Sequence, residues 1–387
     1  MSNLIDYYLQ QSEESKFPEL TLRNLKLSEQ PIMFSFVWVT CLDLGDNDLC
    51  TVDKSYFPPN LEKLCLHNNF VRQLNATDLP ESIKTLYLSN NLMEEFDGSS
   101  LLNLNRLYLD NNRIKYFKFP PNIKNLNIAN NEIEELDDFP ESMHIVDCSN
   151  NKLVILGQIN SGLKKIDFSD NELFEFPNFL DDSIAIFIRG NRTKIRVIDY
   201  LPYGLTHLIM SYCGITTIKC HLPVGLRELD LSNNMLPEMP VLPYGIKHID
   251  LSYNVIDKLG YIPESVKKLD VSNNRITEIL NSLMLRDFEF NYKNNFVEFS
   301  DSEEIPDYWS SFTNRGSYDS GDEYSLSNYD RSPREMYEDR KHYYEFGKWR
   351  NQTSSYSPPH VSLKSNSKMN AANPNYVSYG NTKKIVV

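Results

Sequence analysis

No cysteine follows Cys220, and the six present, Cys41, Cys50, Cys65, Cys148, Cys213 and Cys220, form no CxxC or other metal-ligand spacing. Reduced thiols in an intracellular, cytoplasmic protein are the expectation. Missing too are GxGxxG, a P-loop, HExxH and GxSxG, so no motif marks a nucleotide, zincin or hydrolase site. No apolar run approaches the ~18–20 residues that a membrane span needs. The start, MSNLIDYYLQQSEE, has neither a basic n-region nor a long apolar h-region, so a secretory signal is not expected. Basic residues are outnumbered 39 to 53, for a formal net charge of -14. Nucleic-acid backbones need clustered Lys and Arg, so they are poor candidates as partners. An acidic body suits a protein partner with a basic surface. No catalytic residue, cofactor, metal or membrane contact is expected.

What the chain does have is a repeat. LPYGIKHIDLSYN (242–254) can be laid on IPESVKKLDVSNN (262–274). Both fit apolar-Pro-x-x-apolar-x-x-apolar-x-apolar-x-x-Asn-x-apolar, a template that recurs from about residue 20 to 299. The Asn positions are Asn47, Asn69, Asn91, Asn112, Asn131, Asn151, Asn171, Asn191, then Cys213 in the Asn slot, Asn234, Asn254 and Asn274, at gaps of 19 to 22 residues. A fixed period of this length is the signature of a solenoid, in which each unit buries its apolar face only against its neighbours.

One turn shows the physical logic. In Leu126-Asn127-Ile128 the alternation predicts a short strand with one face in the core and one in solvent. Asn131 follows where the chain turns inward, and its amide can pair with backbone groups that the turn leaves unmatched. The proline of the next turn, Pro140, suits an extended, polyproline-like return.

The pattern LxxLxLxxNxL at this period resembles the leucine-rich repeat family, and the recurrent LPxxL before each strand looks most like its short, bacterial-type class. Similar repeats occur in effector proteins of bacterial pathogens and in large DNA viruses of amoebae. The resemblance covers about 20–299. It implies an α/β-type repeat solenoid, a leucine-rich repeat horseshoe with a concave parallel sheet and an extended convex side, used for protein–protein recognition. For an effector or a viral protein, the cytoplasm in question is the host's. Some effectors join such repeats to a C-terminal ligase with a catalytic Cys, a reading that the lack of any Cys after Cys220 removes.

The ends differ from the middle. Residues 1–38 read as an N-terminal cap with a degenerate repeat, Leu22-Leu25-Leu27, preceded by a short helix over 3–12; the solenoid then runs over 39–299. Residues 300–387 are rich in Ser, Asn, Tyr and charge, which predicts a largely disordered tail. Within it Ser332-Pro333-Arg334-Glu335 is a capping box that opens a candidate helix over 333–349, either a cap for the solenoid's end or a partner-binding element. A scaffolding or substrate-recruiting role through this tail is the alternative to recognition by the sheet.

Register predicts which side chains line the sheet's outer face. The central outward column contains Asp43, Cys65, Tyr87, Tyr108, then Asp147, Asp167, Phe187, Ile209, Asp230, Asp250, Asp270 and Glu289; two residues earlier stand Cys41, Arg106, Ala185, His207 and Asp287. Two residues after the centre the column is mostly Ser. Regularly spaced Asp followed by Ser is consensus and reads as a solvated row. The departures from it are the candidate site: Tyr87 beside Tyr108 with Arg106, and Phe187 beside Ile209 with Arg189, His207 and Tyr212. Exposed aromatic side chains next to Arg are typical interface anchors. The turn around Phe187 also breaks step, as either a tolerated irregularity or a functional bulge.

Overall fold

The computed structural model describes residues 2–180 and 183–300. The expectations for the segment after residue 300, a disordered tail and a helix over 333–349, lie outside the described residues. No helix among the described residues is long and apolar enough to cross a membrane.

The chain opens with an α-helix, Ser2–Ser15. Ile5 and Leu9 pack against the core, while Tyr7 and Tyr8 face outward. Trp38 Nε1 donates to Ser12 Oγ at 3.4 Å, and the Lys16 ammonium sits 3.5 Å from the Trp38 ring centroid. The helix thereby covers apolar groups that the first repeat would otherwise leave in water.

From there the chain winds as a solenoid. One 14-stranded parallel sheet runs in strict chain order from Glu19–Thr21 to Glu289–Asn291. Each strand is three residues long with its middle residue inward, as in Lys63–Cys65, Thr85–Tyr87 and Arg106–Tyr108, where Leu64, Leu86 and Leu107 are fully buried. Three residues are enough because the ladder continues sideways from turn to turn and the buried middle residues stack into one core.

The ladder Asn works as its position implied. Asn91 Nδ2 donates to the carbonyls of Leu66, Leu88 and Ser89 at 2.9, 3.0 and 3.3 Å, and Oδ1 accepts the Val71 N–H at 3.0 Å. One side chain therefore ties two repeats together. The same scheme extends to Asn295, which takes Ile276 N–H and donates to Val271 and Tyr292 carbonyls. The residue before each slot, from Asp46 to Asn294, has positive φ, and it is Asn or Asp except at Arg192, Tyr212 and Tyr253. Asn and Asp tolerate the left-handed region better than other side-chain-bearing residues.

The template proline has a second role. Its carbonyl accepts from the apolar residue three positions on, as in Pro140 to Met143 at 2.9 Å and Pro223 to Leu226 at 3.0 Å. LPxxL is thus the turn that aims the chain into the next strand. The return side is extended, as expected, and among the described residues it also pairs in four places as short parallel strands, for example Glu95–Asp97 with Tyr116–Lys118.

Candidate functional site on the outward face of the sheet

The Asp row is occupied by local bonding. Asp230, Asp250 and Asp270 each accept from the backbone N–H and the hydroxyl of the serine two residues on, at 2.6 to 3.0 Å. These carboxylates fasten the strand to its turn.

Tyr87 and Tyr108 depart from that row. They lie opposite each other in register, and their rings stack at 4.6 Å between centroids with an interplanar angle of 2°. Both are half-buried, and Arg106 beside them is exposed. Lys63 on the neighbouring strand brings its ammonium to 5.5 Å from the Tyr87 ring. Lys84 is engaged with Glu62 at 2.7 Å. The result is a flat aromatic platform with cations at its rim, of the kind that contributes through both stacking and cation–π attraction.

The second group is built as expected in content, but in a different register. The strand is Phe187–Arg189 with Ile188 inward. Phe187 therefore pairs with Lys165 and His207, while Arg189, not Phe187, stands beside Ile209 in the central column. Ala185 lies before the strand and is fully buried. The slip has a physical source: the ladder slot here is held by Thr193, not Asn191. Thr193 Oγ1 donates to the Gly190 carbonyl at 3.2 Å, three residues back, as every ladder Asn does. Asn191 instead accepts the Ser211 N–H. The last strand is shifted likewise, so Glu289 takes the first position and Asn291 the central column.

Around this strand the Arg189 guanidinium lies 5.6 Å from the Phe187 ring and 3.8 Å from Asp167 Oδ2, and its Nε–H is buried without an acceptor. Phe187 and His207 rings are 5.8 Å apart. His207 Nε2 is 3.8 Å from Glu228. Burial lowers the His207 pKa, against the opposing pull of the Glu228 charge. Ile209 is 8% exposed, so it is floor and not anchor. Tyr212 stands on the turn at 59% exposure, in the left-handed conformation, with the Arg192 guanidinium 5.8 Å from its ring. Arg192 and Tyr212 are both bulky residues, on successive turns, where all other turns but that of Tyr253 use Asn or Asp.

Two successive ladder slots, Thr193 and Cys213, are thus weak beneath the second group. Cys213 Sγ donates to the Gly190 carbonyl at 3.0 Å and lies 3.4 Å from Thr193 Oγ1. Restoring the amide with Thr193→Asn is expected to raise stability by about 1 kcal/mol, one net buried hydrogen bond. Chemical denaturation of the variant beside the parent measures it; a loss of stability would show that the slot is sterically closed to Asn.

All six cysteines are free thiols, and only Cys50 is exposed. Burial, aided by the Asp43 charge, pushes the Cys65 thiol up to about 12, and burial also pushes Cys148 well above the ordinary thiol value. A thiol reacts as its thiolate. A chromogenic disulfide reagent is therefore expected to titrate one fast equivalent per chain, absent in C50S; several fast equivalents in the parent would contradict these burials. Sequence reading missed one residue on this face. His67 is the single His in the Ser column, and it lies among Asp43 and Cys65.

No family model matches the chain. Bovine lumican (Bos taurus) is 28% identical over 175 residues, 42% of this chain and 46% of lumican; the chain spans about half the length of the curated relatives it matches. Among solved structures, YopM from Yersinia enterocolitica aligns with a TM-score of 0.57 at 22% identity, covering 76% of this chain and 73% of YopM. A chain of the Toll–Spätzle complex of Drosophila aligns with a TM-score of 0.54 at 17% identity, covering 72% of this chain and 48% of that one.

Proposed function

We propose that this leucine-rich repeat protein binds a protein partner across the outward, concave face of its sheet, and that it does so without catalysing a reaction on that partner. The observation that carries the reading is the Tyr87–Tyr108 platform. Two half-buried aromatic rings stack in register on the outward face of the sheet, with Arg106 and Lys63 beside them. Four strand steps from Tyr108 stand Phe187 and Arg189, and His207 is one step further. At ~4.8 Å per step the two groups are about 19 Å apart, a span that one interface of ordinary size covers. Hot spots favour Tyr and Arg at such centres. The likeness to a chain of the Toll–Spätzle complex is consistent with a protein partner. The acidic remainder of the chain suits a partner whose surface is basic around an apolar centre. Free thiols favour a reducing, cytoplasmic setting.

The test is an affinity comparison of the parent with Y87A/Y108A and with F187A/R189E against an identified partner. Each pair is expected to weaken binding at least about 30-fold, the effect of removing one or two hot spots, while denaturation midpoints stay close to the parent's. Ile209 is left out because its truncation would open the core. Unchanged affinity in both folded variants would sink the reading.

A further inference from the structure

The first regular repeats depart from the template at positions that meet in space. Asp43 and Cys65 stand opposite each other in the central outward column of neighbouring strands. His67 follows two residues after Cys65, in the column where Ser89, Ser149, Ser169, Ser211, Ser232, Ser252 and Ser272 stand elsewhere. The same column holds Gly45 one repeat earlier, and the two departures fit each other. A Cβ at residue 45 would come within 2.3 Å of the His67 ring. Only glycine there lets the imidazole lie down over the chain toward Asp43.

Glycine has a second consequence. In the later turns a serine at this position gives both N–H and hydroxyl to the Asp carboxylate. Asp43 receives only the Gly45 N–H, at 2.8 Å. Its carboxylate retains lone pairs that its counterparts commit to serine. The ligand atoms of Asp43, Cys65 and His67 all lie within 4.8 Å of one another, with Cys65 buried and the other two half-buried.

We propose that Asp43, Cys65 and His67 form a three-ligand site for a divalent transition metal, with Zn2+ the best match, leaving a fourth position open. The donor set decides the metal class. Thiolate with imidazole suits borderline and soft ions, whereas Mg2+ and Ca2+ take all-oxygen sets. A tetrahedral zinc with bonds of about 2.0–2.3 Å separates its ligands by about 3.3–3.7 Å, so the donors close by about 1 Å, within reach of side-chain torsions. On binding, the Cys65 S–H bond breaks, the proton leaves to solvent, and a sulfur–metal bond forms; the imidazole binds through an unprotonated nitrogen. Asp46 Oδ2 lies 4.0 Å from His67 Nε2, so a carboxylate stands beside the ring. Asp46 is itself held by Arg23 and Asn68. The site adjoins Tyr87, which is in register with Cys65, but it does not depend on the partner-binding reading.

The reduced, chelator-treated full chain is titrated with Co2+ and then with Zn2+. One equivalent of Co2+ is expected, with a sulfur-to-cobalt charge-transfer band that Zn2+ abolishes, and Zn2+ raises the melting temperature. His67→Ser returns the residue that most repeats carry, so the fold is expected to hold while affinity falls at least about 100-fold, more than loss of an outer hydrogen-bond partner costs. C65S removes the charge-transfer band, and C50S keeps it. Should H67S lose its cooperative melt, D43N is read in its place, with the same loss expected. A parent that binds neither ion, or H67S and C65S variants that bind as the parent does, would overturn the proposal.

Discussion

Asn91→Ala is expected to destabilise the protein by about 4 kcal/mol, far more than its loss of a few atoms suggests. Asn91 is 5% exposed and makes four hydrogen bonds, all to backbone groups of its own and the preceding repeat. Alanine leaves the Val71 N–H buried without an acceptor, at about 1–3 kcal/mol, and removes three further bonds to carbonyls, each with a smaller net contribution. No water can substitute without a cavity large enough to hold it. The contrast is Asn122, whose amide donates to the Leu102 carbonyl from an exposed position. Asn122→Ala is expected to cost under about 1 kcal/mol. Urea denaturation of both variants settles the comparison. Equal effects would mean that the buried amides do not bind the stack together.

Gly157→Ala is the second large effect, expected to cost about 3 kcal/mol or more. The residue follows the strand Ile155–Leu156 on the return side. A Cβ there would lie 2.4 Å from the Asp137 carbonyl carbon and 2.4 Å from the Asp138 nitrogen. Those atoms are backbone, so no side-chain rotation relieves the clash. The two turns would have to part, at the point where Gly157 donates to the Leu136 carbonyl at 2.9 Å. Overpacking against movable side chains typically costs 1–3 kcal/mol, and a backbone obstacle belongs at or above that range. Gly260 has no atom within 4 Å of the corresponding position, so Gly260→Ala is expected to be nearly neutral. A stability scan of the pair by calorimetry tests this, and a neutral Gly157→Ala would show that neighbouring turns slide past each other freely.

The fold was legible because its cause is periodic. Asn at intervals of 19 to 22 residues, preceded by an apolar-x-apolar strand and an LPxxL turn, leaves one way to bury every apolar side chain. Which residues gather on this face was legible in the sequence, and their register was not. Asn191 matches the ladder by residue type, whereas the slot is fixed by distance from the inward strand residue, Ile188. Five residues on stands Thr193, whose hydroxyl can do part of the same work. That two-residue slip moved Phe187 one column and put Arg189 where Phe187 was expected. Ile209 shows a different limit: its position in the outward column was right, yet 8% exposure follows from neighbouring side chains that a single sequence does not locate. His67 could have been found. A lone imidazole in a serine column, one repeat after a lone glycine, is visible in the alignment of repeats.

Recognition through the outward face of the sheet has a direct consequence for which positions touch the partner. Site-directed photo-crosslinking tests it most directly, with a photoreactive amino acid placed at Arg106, exposed beside the tyrosine platform, and in parallel at Tyr116, exposed on the return side. A covalent adduct with the partner protein is expected from position 106, competed away by unmodified chain but not by the Y87A/Y108A variant, and none from position 116. Adducts from position 116 alone would contradict it.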